Sequence, residues 1–531
     1  MELHGKNIIG GRLCAGGTRS FAAVNPETNE RLEPVFTEAT ETEVGRALEL
    51  AAAAFVEYRR KTPEERAAFL DAIGAEIMAL GDELIKRANA ETALPHARLM
   101  AERTRTIGQF GLFAKLIREG SWVDARIERA QPGRKPAPKP DLRRMLAPIG
   151  PVAVFGASNF PLAYSVAGGD TAAALAAGNP VVVKAHPGHP GTSELTMRAL
   201  QAAAQGRALP AGVVSMVHGA TNAVGMALVK HPCTKAVGFT GSLQGGRALW
   251  EAAAARPEPI PVYAEMGSTN PVFVLPGALA ARAAEIAEGL VQSVTMGVGQ
   301  FCTCPGLVFG VRGAAFDAFV GHVARLAAQV PPGTMLHSRL CARYREGVEE
   351  FEKLPGVKTA GRASGAEHQK TQAGAVIFVT DAETFLKTPR LHEELFGPAT
   401  VIVGCASTGE LATVAGRLPG QLTASIHATL EDLQECRPLA EVLTQRAGRV
   451  VYNGFPTGVE VCAAMHHGGP YPATIFPHFT SVGTAGILRF VRPVCYQNCP
   501  PELLPLELQD RNAGHIWRLV DGELTKADVE S

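Results

Sequence analysis

The sequence predicts an α/β protein in which helices cover parallel β-sheets. From Pro148 onward, short apolar segments alternate with helical segments of roughly ten to fifteen residues, the pattern of βαβ units. The 56 glycines and the Ala-rich segments fit closely packed helices and tight turns. Because 531 residues exceed one ordinary hydrophobic core, we expect two or three domains.

The composition excludes several classes of protein. Apolar residues make up 46% and charged residues 19%, which is typical of a globular protein rather than a disordered one. Basic and acidic residues balance at 51 each, so no overall field favours nucleic acid or an anionic membrane. No apolar segment reaches the ~18–20 residues of a membrane helix, and the early acid in 1–6 argues against a secretory signal.

The ten cysteines are scattered along the chain and form no CxxC ladder. This pattern favours reduced thiols over disulfides or a zinc site. We therefore expect a cytoplasmic protein without a resident metal, with no nucleic-acid partner and no membrane partner.

The elements follow in order along the chain. Apolar residues at three- and four-residue spacing predict helices over residues 40–118. Four prolines interrupt residues 131–140, which therefore form an extended arm between possible strands at 122–127 and 142–146. A solvated linker and an oligomerisation arm are equal alternatives for this arm.

We predict the parallel sheets from the segments after Pro148. The expected strands are 152–155, 181–184, 213–217, 236–240, 260–264, 270–275 and 306–311, with a further strand at 487–496. The expected helices are 163–177, 192–204, 221–229, 245–255, 279–297 and 314–329. Ligands bind at the carboxyl ends of parallel strands, and those ends hold Asn159, Lys184, Gly219, Gly241 and Glu265.

Cys302 is a candidate nucleophile. It lies among glycines between a helix and a strand, in the segment Gly297-Val-Gly-Gln-Phe-Cys302. A thiol with an ordinary pKa of about 8.5 needs a polar environment to react, and a small buried hydrophobe is the commoner role for a cysteine. Cys304, two residues later, has the weaker claim.

Three further segments carry candidate groups. Glu265 ends an apolar strand and is either a general base or a turn cap. Asn159, before Phe160-Pro161, either donates to an oxyanion or shapes an Asx turn. The glycine-rich turn at 239–246 leads into a helix and suits a phosphate group.

The order of these features resembles that of the aldehyde dehydrogenase superfamily over essentially the whole chain. The motifs that carry the resemblance are SNFP at 158–161, VVKAHP at 182–187, FTGS at 239–242, EMG at 265–267, GQFC at 299–302 and EELFGP at 393–398. The resemblance implies an enzyme that oxidises an aldehyde to a carboxylic acid through a thioester on Cys302.

The resemblance also implies roles for individual residues. Cys302 is the nucleophile, Glu265 the general base, and Asn159 with the Cys302 backbone N–H the oxyanion hole. On the cofactor side, the implied residues are Lys184 and His186 near the adenosine ribose, Gly219 and Gly225, Gly241 and Ser242 at the pyrophosphate, and Glu394 and Phe396 at the nicotinamide riboside. Many NAD-preferring members carry an acid where this chain has Pro187, so we expect NADP or dual use.

The implied fold has a Rossmann-like cofactor domain, an α/β catalytic domain and a β oligomerisation flap. We expect the cofactor-binding domain at 1–127 and 147–264 and the catalytic domain at 265–470. The flap would comprise 128–146 and 485–500, followed by a C-terminal tail at 501–531. A homo-dimer or homo-tetramer is the expected assembly.

Within the superfamily, the chain is most similar to bacterial α-ketoglutaric semialdehyde (2,5-dioxopentanoate) dehydrogenases and to NADP-dependent fatty aldehyde dehydrogenases. The long matching stretches are 160–194, 259–279 and 467–500. That group usually has an arginine at the position of Gly111 and another at His478, and either would pair with a substrate carboxylate. With Phe110, Phe113 and His478 as pocket candidates, a hydrophobic aldehyde is the alternative substrate, although the phenylalanines fit the core equally well.

Two other classes remain open from the residues alone. A cysteine thioesterase or acyltransferase would use Cys302 with a histidine such as His467, but it gives Lys184, Gly241 and Glu394 no purpose. A non-catalytic binding protein on the same fold is disfavoured by the intact set of candidate residues. The CoA-acylating relatives typically lack the general base that Glu265 would provide. The presence of Glu265 therefore disfavours CoA as the acceptor of the acyl group.

Overall fold

The computed structural model of the protein describes residues 2–367 and 369–529. The helices in these ranges are α1 Glu41–Tyr58, α2 Pro63–Ala79, α3 Gly81–Thr92, α4 His96–Glu119, α5 Gly169–Ala177, α6 Pro190–Gly206, α7 Asn222–Lys230, α8 Leu243–Ala254, α9 Pro276–Thr295, α10 Ala314–Gln329, α11 Ser338–Glu352, α12 Ala382–Lys387, α13 Thr408–Arg417, α14 Leu430–Glu435 and α15 Arg437–Arg446.

The strands of the same ranges form three larger sheets and two hairpin-sized ones. They are β1 Asn7–Ile9, β2 Arg12–Cys14, β3 Ser20–Val24, β4 Arg31–Thr37, β5 Arg126–Glu128, β6 Leu142–Pro148, β7 Val152–Phe155, β8 Val181–Lys184, β9 Val214–Val217, β10 Ala236–Thr240, β11 Val262–Glu265, β12 Val272–Val274, β13 Leu307–Val311, β14 Gly333–Thr334, β15 Lys358–Arg362, β16 Gln372–Ala373, β17 Val376–Asp381, β18 Ala399–Cys405, β19 Gln421–His427, β20 Ala447–Tyr452, β21 Val491–Gln497, β22 Arg518–Val520 and β23 Glu523–Thr525.

The first sheet has the order β11-β10-β7-β8-β9-β1-β2, and its five strands from β7 to β11 are parallel. Helices α2, α4, α5 and α6 supply the apolar cluster on one face, and α1, α7 and α8 supply the cluster on the other. Strand β7 is buried at all four positions, as expected for a parallel strand covered on both faces.

The second sheet has the order β15-β17-β18-β13-β12-β19-β20. Its strands are parallel except β15, which pairs antiparallel with β17 at one edge. The predicted α/β class with parallel sheets is therefore confirmed. In the first sheet, Lys184 and Glu265 lie at the carboxyl ends of β8 and β11. In the second sheet, Cys302 and Glu394 precede the amino ends of β13 and β18.

The third sheet brings distant segments together in the order β21-β6-β5-β22-β23. Strand β6, which follows the proline-interrupted arm, pairs antiparallel with β21 along seven residues. The expected strand at 487–496 starts later, at Val491, because a 3-10 helix occupies Thr484–Phe490. The segment at 501–531, expected as a tail, contributes β22 and β23 to the same sheet.

One predicted helix begins six residues late. The expected helix at 163–177 starts only at Gly169, after a series of turns from Pro161. The side chain of Glu102 accepts hydrogen bonds from the backbone N–H groups of Leu162 and Ala163 at 2.8 and 3.0 Å. A buried carboxylate from another helix thus satisfies donors that a first helical turn would leave free.

The N-terminal helices follow their sequence signals closely. Thr40 and Glu43 form a capping box at the start of α1, and Thr62 and Glu65 form another at the start of α2. Helix α4 ends at Gly120, whose φ of 82° suits glycine. None of the helices among the described residues has both the length and the apolar composition that a membrane crossing requires.

Candidate active site

The candidate catalytic groups meet between the first two sheets. Glu265 is the last residue of β11, Asn159 follows β7, and Cys302 follows α9 through a short turn. One ligand atom each from Glu265, Cys302 and His467 lies within 4.8 Å of the other two. We call these three residues the cysteine cluster. The structure thus brings together residues from three separate segments of the chain.

His467 lies between the other two members of the cysteine cluster. Its Nε2 atom is 3.5 Å from the sulfur of Cys302 and 3.2 Å from Oε1 of Glu265. The imidazole is 1% exposed, and its Nδ1 atom has no hydrogen-bond partner among the described residues. A ring nitrogen in this position can accept a proton from the thiol beside a carboxylate that stabilises the resulting charge.

Glu265 has a second partner on its other oxygen. The hydroxyl of Ser481 donates to Oε2 of Glu265 and also contacts the carbonyl of His467 at 3.1 Å. Burial raises the pKa of the Glu265 carboxyl, but when His467 carries a proton, its charge and hydrogen bond together with the Ser481 bond outweigh burial. The pKa therefore lies below its usual value, so the carboxylate is ionised at neutral pH.

The pKa of the Cys302 thiol is shifted in the opposite direction to that of Glu265. Burial, followed by the nearby Glu265 carboxylate, raises the pKa of Cys302 well above its usual value, against a smaller lowering by Arg105. The thiol therefore keeps its proton at neutral pH in this arrangement. Formation of the thiolate requires a base within reach, and His467 provides one.

The backbone around Cys302 is held in an unusual shape. Gly297, Val298 and Gly299 all have φ between 55° and 67°, which a β-branched residue such as Val298 rarely adopts. A side chain at Gly299 would lie 2.2 Å from the backbone of Gly397, so the turn requires glycine there. Beyond the turn, Nδ2 of Asn270 donates to the carbonyls of Cys302 and Cys304 at 2.8 and 2.9 Å. This anchoring fixes the direction of the nucleophile.

Asn159 lies on the opposite side of the nucleophile loop. Its Nδ2 donates to the carbonyl of Gln300 at 3.0 Å, and the side chain is 8% exposed. An amide nitrogen has two hydrogens, so one remains for a second acceptor beside the cysteine loop. The position suits an oxyanion donor.

Helix α4 holds the loop that carries Asn159. The guanidinium of Arg98 donates to the Asn159 carbonyl at 2.7 Å and lies about 5 Å from the centroids of Phe160 and Phe301. Glu102 binds the same loop at Leu162 through its buried carboxylate. Burial raises the pKa of Glu102. Arg98 and Glu102 were not expected at the site from the sequence. Their four-residue spacing is the same as that of residues on one face of any amphipathic helix.

The residues expected at the ribose lie at the end of β8. Nζ of Lys184 donates to the carbonyl of Gly219 at 2.7 Å, and burial lowers the pKa of Lys184 to about 8. The ring of His186 stacks on His189 with centroids 5.3 Å apart, and burial holds the pKa of His186 well below its usual value. Gly225 lies in α7, where a side chain would approach the ring of Phe155 at 3.1 Å. Gly225 therefore serves helix–strand packing.

The residues expected at the pyrophosphate begin α8. Ser242 caps this helix by accepting from the N–H of Gly245 at 3.2 Å, and Gly241 and Ser242 are both exposed. A helix N-terminus with exposed N–H groups favours an anion. A buried ammonium at Lys184, this open helix end and the glycine turn together fit a dinucleotide.

Glu394 and Phe396 line a cavity of about 410 Å³ beside Gly299, Phe301 and Cys304. Burial and the charge of Glu265 raise the pKa of Glu394 to about 8, against a hydrogen bond from the backbone of Ser268 that lowers it. The cavity thus extends from the cysteine loop to the residues expected at the nicotinamide riboside. A ribose hydroxyl could donate to this carboxyl, as the expectation requires.

Cys304 contributes to this cavity rather than to the cysteine cluster. Its sulfur contacts the carbonyls of Val294 and Gly397 at 3.7 and 4.0 Å. Burial raises the pKa of Cys304 far above its usual value. Cys302 and Cys304 therefore have different partners, in keeping with the weaker claim of Cys304.

The expected pocket residues lie in two different settings. Phe110 is fully buried and Phe113 is 3% exposed, and both pack in the main apolar cluster beside the first sheet. The structure therefore places these two side chains in the core, the alternative that the sequence left open. His478 is exposed, with its ring 4.7 Å from that of Phe479.

A second cavity of about 250 Å³ lies beside the cysteine cluster. Its lining is aromatic on one side, where the ring of Tyr263 contacts the rings of Phe476 and Phe479. The lining also includes Glu265, His467 and Arg489. The guanidinium of Arg489 forms an ion pair of 2.7 Å with Asp170.

The two large α/β sheets thus bring a cysteine, a histidine and a glutamate together near a helix end that fits a dinucleotide. Residues 14–470 match the Aldehyde dehydrogenase family, and the chain belongs to that family. The expected fold and enzyme class are therefore confirmed.

Two curated relatives match nearly the whole chain. Alpha-ketoglutaric semialdehyde dehydrogenase 2 of Azospirillum brasilense is 52% identical, covering 98% of this chain and 100% of that protein. Alpha-ketoglutaric semialdehyde dehydrogenase of Acinetobacter baylyi is 46% identical, with 99% of each chain covered. Among solved structures, the NAD⁺ complex of a Bacillus cereus aldehyde dehydrogenase has a TM-score of 0.79 at 22% identity, covering 93% and 96% of the chains.

Proposed function

We propose that the protein oxidises 2,5-dioxopentanoate (α-ketoglutaric semialdehyde) to 2-oxoglutarate with NADP or NAD. The observation that supports this most is the full-length identity of 52% to a relative of that name, together with the intact cysteine cluster. In the balanced reaction, aldehyde, water and oxidised dinucleotide give carboxylate, reduced dinucleotide and protons.

The first half of the reaction forms a thioester on Cys302. His467 Nε2 takes the thiol proton, and the Glu265 carboxylate at 3.2 Å stabilises the imidazolium. The thiolate attacks the aldehyde carbon, and the second Nδ2 hydrogen of Asn159, with the Cys302 N–H, stabilises the oxyanion. When bound, the nicotinamide supplies the hydride acceptor for the oxidation.

The second half releases the acid. Glu265 accepts a proton from water, and the resulting hydroxide attacks the thioester carbon and expels the Cys302 thiolate. The depressed pKa of Glu265 keeps this base ionised before the step. Ser481 fixes the orientation of the carboxylate through its hydrogen bond to Oε2.

The dinucleotide would be held by Lys184 at the adenosine ribose, by the α8 N-terminus at Gly241 and Ser242, and by Glu394 and Phe396 at the nicotinamide riboside. The nearest acid to Lys184 is Glu38, which raises its pKa. The Glu38 oxygens accept hydrogen bonds from Ala220 and Thr221 at 2.7 to 2.9 Å. Three residues after Lys184, where an acid would bind the 2′-hydroxyl, the chain has Pro187. A proline there does not repel a 2′-phosphate, which supports use of NADP.

The test follows absorbance at 340 nm with the purified protein and either dinucleotide. The aldehydes are 2,5-dioxopentanoate, succinic semialdehyde, hexanal and benzaldehyde, and the Cys302→Ala variant is the control. We expect the highest kcat/KM for 2,5-dioxopentanoate and no turnover in the control. A preference for hexanal or benzaldehyde would instead establish the hydrophobic-aldehyde alternative, and activity in the control would remove the thioester mechanism.

We also propose that the chain forms a homo-dimer or homo-tetramer through the free edge of β21. Strand β21 is the outer strand of the third sheet, and its seven residues are exposed or half-buried. Such an edge offers unpaired backbone groups to a second copy. Sedimentation velocity should give a mass of two or four times 55.9 kDa. A species at the monomer mass would contradict the proposal.

The cytoplasm is the proposed location. All ten cysteines are free thiols in the structure, as is usual in a reducing compartment. Fractionation of cells that produce the protein should recover it in the cytoplasmic fraction.

A further inference from the structure

One face of α4 is directed at the loop that carries Asn159. Arg98, Glu102, Arg105 and Gln109 follow one another at three- and four-residue spacing on this face. Arg98 and Glu102 bind the loop backbone at 2.7 to 3.0 Å, and Gln109 reaches the Ala163 carbonyl at 3.4 Å. Arg98, Glu102 and Gln109 therefore position the loop.

Arg105 is the exception on this face. Its one hydrogen bond in the described chain is a long contact of 3.4 Å from Nη2 to the Tyr164 hydroxyl. Its Nε is buried and has no partner, and none of the described carboxylates forms an ion pair with it. The guanidinium carbon lies 5.7 Å from the ring centroids of both Phe160 and Tyr164. A half-buried cation with spare donors is costly unless an anion completes it.

One aromatic ring separates Arg105 from the residue before Cys302. The guanidinium lies 5.7 Å from the ring centroid of Phe160, and that ring lies 5.5 Å from the ring of Phe301. The charge of Arg105 lowers the pKa of the Cys302 thiol, against the larger effects of burial and Glu265. The pKa of Tyr164 is raised by burial and by Glu265, lowered by Arg105 and raised by Cys302. Arg105, Tyr164 and Cys302 therefore share one electrostatic environment at the cysteine loop.

The other arginines near the site are already engaged. Arg489 is paired with Asp170 at 2.7 Å, and Arg98 is bound to the Asn159 carbonyl. Burial lowers the pKa of Arg449, and the charge of Cys302 raises it. The two terminal nitrogens of Arg449 donate to the carbonyls of Pro456 and Gly458. Arg98 keeps a buried Nη1 without a partner among the described residues, but its short bond holds the Asn159 loop. Arg105 has only the long contact of 3.4 Å, so it can turn to a ligand at the smallest cost to the loop.

We propose that Arg105 binds the carboxylate of the semialdehyde substrate by charge-assisted hydrogen bonds while the aldehyde group reaches Cys302. This inference rests on the proposed function, because only a substrate with a carboxylate uses it. It also explains how a chain with glycine at 111 and histidine at 478 can take an acidic aldehyde. The substrate carboxylate would form the ion pair that Arg105 makes with none of the described carboxylates.

The test compares the specificity ratio, defined as kcat/KM for 2,5-dioxopentanoate divided by kcat/KM for hexanal. We expect Arg105→Met to lower this ratio roughly 50-fold, mainly through KM, since truncating one partner of a buried charged pair is costly. Arg105→Lys should recover part of the loss, because an ammonium keeps the charge but not the planar fork. Arg103→Met is the matched control, since Arg103 lies on the same helix and donates to the Gly81 carbonyl. Its ratio should match the wild type.

A second measurement needs no turnover. The product 2-oxoglutarate should slow alkylation of Cys302 by iodoacetamide in the wild type and in Arg103→Met, but not in Arg105→Met. An unchanged ratio and unchanged protection in Arg105→Met would overturn the role of Arg105, and so would equal losses for both aldehydes. If the wild type itself shows no preference for 2,5-dioxopentanoate, the proposed function fails, and that result is read before any variant is compared.

Discussion

The Nε2 atom of His467 lies 3.5 Å from the Cys302 sulfur, although 165 residues separate the two in the chain. The imidazole is fully enclosed and touches the Glu265 carboxylate as well. One ring therefore links the cysteine and the carboxylate that we propose as nucleophile and hydrolytic base.

Replacement of His467 by phenylalanine removes the base for the thiol and the cationic partner of Glu265. We expect kcat to fall roughly 100-fold, within the usual range for loss of a general base. Stopped-flow measurement of the first turnover should show that thioester formation is slowed. His466→Phe is the matched control, because His466 forms no hydrogen bond with Cys302 or Glu265 among the described contacts. A first turnover at the wild-type rate in His467→Phe would show that the thiol needs no base from this ring.

Glu265→Gln should separate the two halves of the reaction. Without the carboxylate, thioester hydrolysis is expected to slow at least 100-fold, while thioester formation continues. Rapid mixing should then give a burst of about one reduced dinucleotide per active site, followed by slow turnover. Cys302→Ala should give no burst. A linear trace from Glu265→Gln would mean that hydrolysis does not depend on Glu265.

The pH dependence of thiol alkylation follows from the raised pKa of Cys302. Since burial and then Glu265 raise that pKa, the iodoacetamide rate should still be rising at pH values where a free thiol has levelled off. In Glu265→Gln the second cause is gone, so the midpoint should shift to lower pH. Cys302→Ala supplies the background from the other nine cysteines. Identical profiles for the wild type and Glu265→Gln would remove the carboxylate as a cause.

The cysteine cluster also predicts inhibition by zinc. Thiolate sulfur, imidazole nitrogen and carboxylate oxygen are zinc ligands, and one of each lies within 4.8 Å of the others. Micromolar Zn²⁺ should inhibit turnover reversibly, with recovery on addition of EDTA. Inhibition should be stronger at higher pH, because binding displaces the thiol proton. Equal sensitivity to Zn²⁺ in His467→Phe would place the bound metal elsewhere.

Residues whose role follows from a local element could be predicted from the sequence. Glu265 and Lys184 end strands of the first sheet, so the alternation of elements places both at its carboxyl edge. Cys302 follows a helix and a glycine turn, which marked it as a candidate. Arg105 could not be found in this way, because its availability depends on which side chains surround it after folding. His467 entered the sequence analysis only through the thioesterase alternative, since no nearby motif connects it with Cys302.

The errors in the fold expectations also have physical causes. The helix expected from Ala163 starts at Gly169 because Glu102, about sixty residues earlier, takes the backbone donors at 162 and 163. Phe110 was a pocket candidate because apolar residues near a substrate site and apolar residues in a core look the same in sequence. Its full burial follows from the face of α4 that packs on the first sheet.

The pairing of β22 with β5 has a consequence for the newly made chain. Strand β5 lies between β6 and β22, and β22 pairs with it from about 390 residues further along the chain. Until β22 pairs, β5 has a free edge on that side, and such an edge can pair with strands of other chains. Contacts between segments so far apart in sequence form slowly, so we expect completion of this sheet to be a late step of folding.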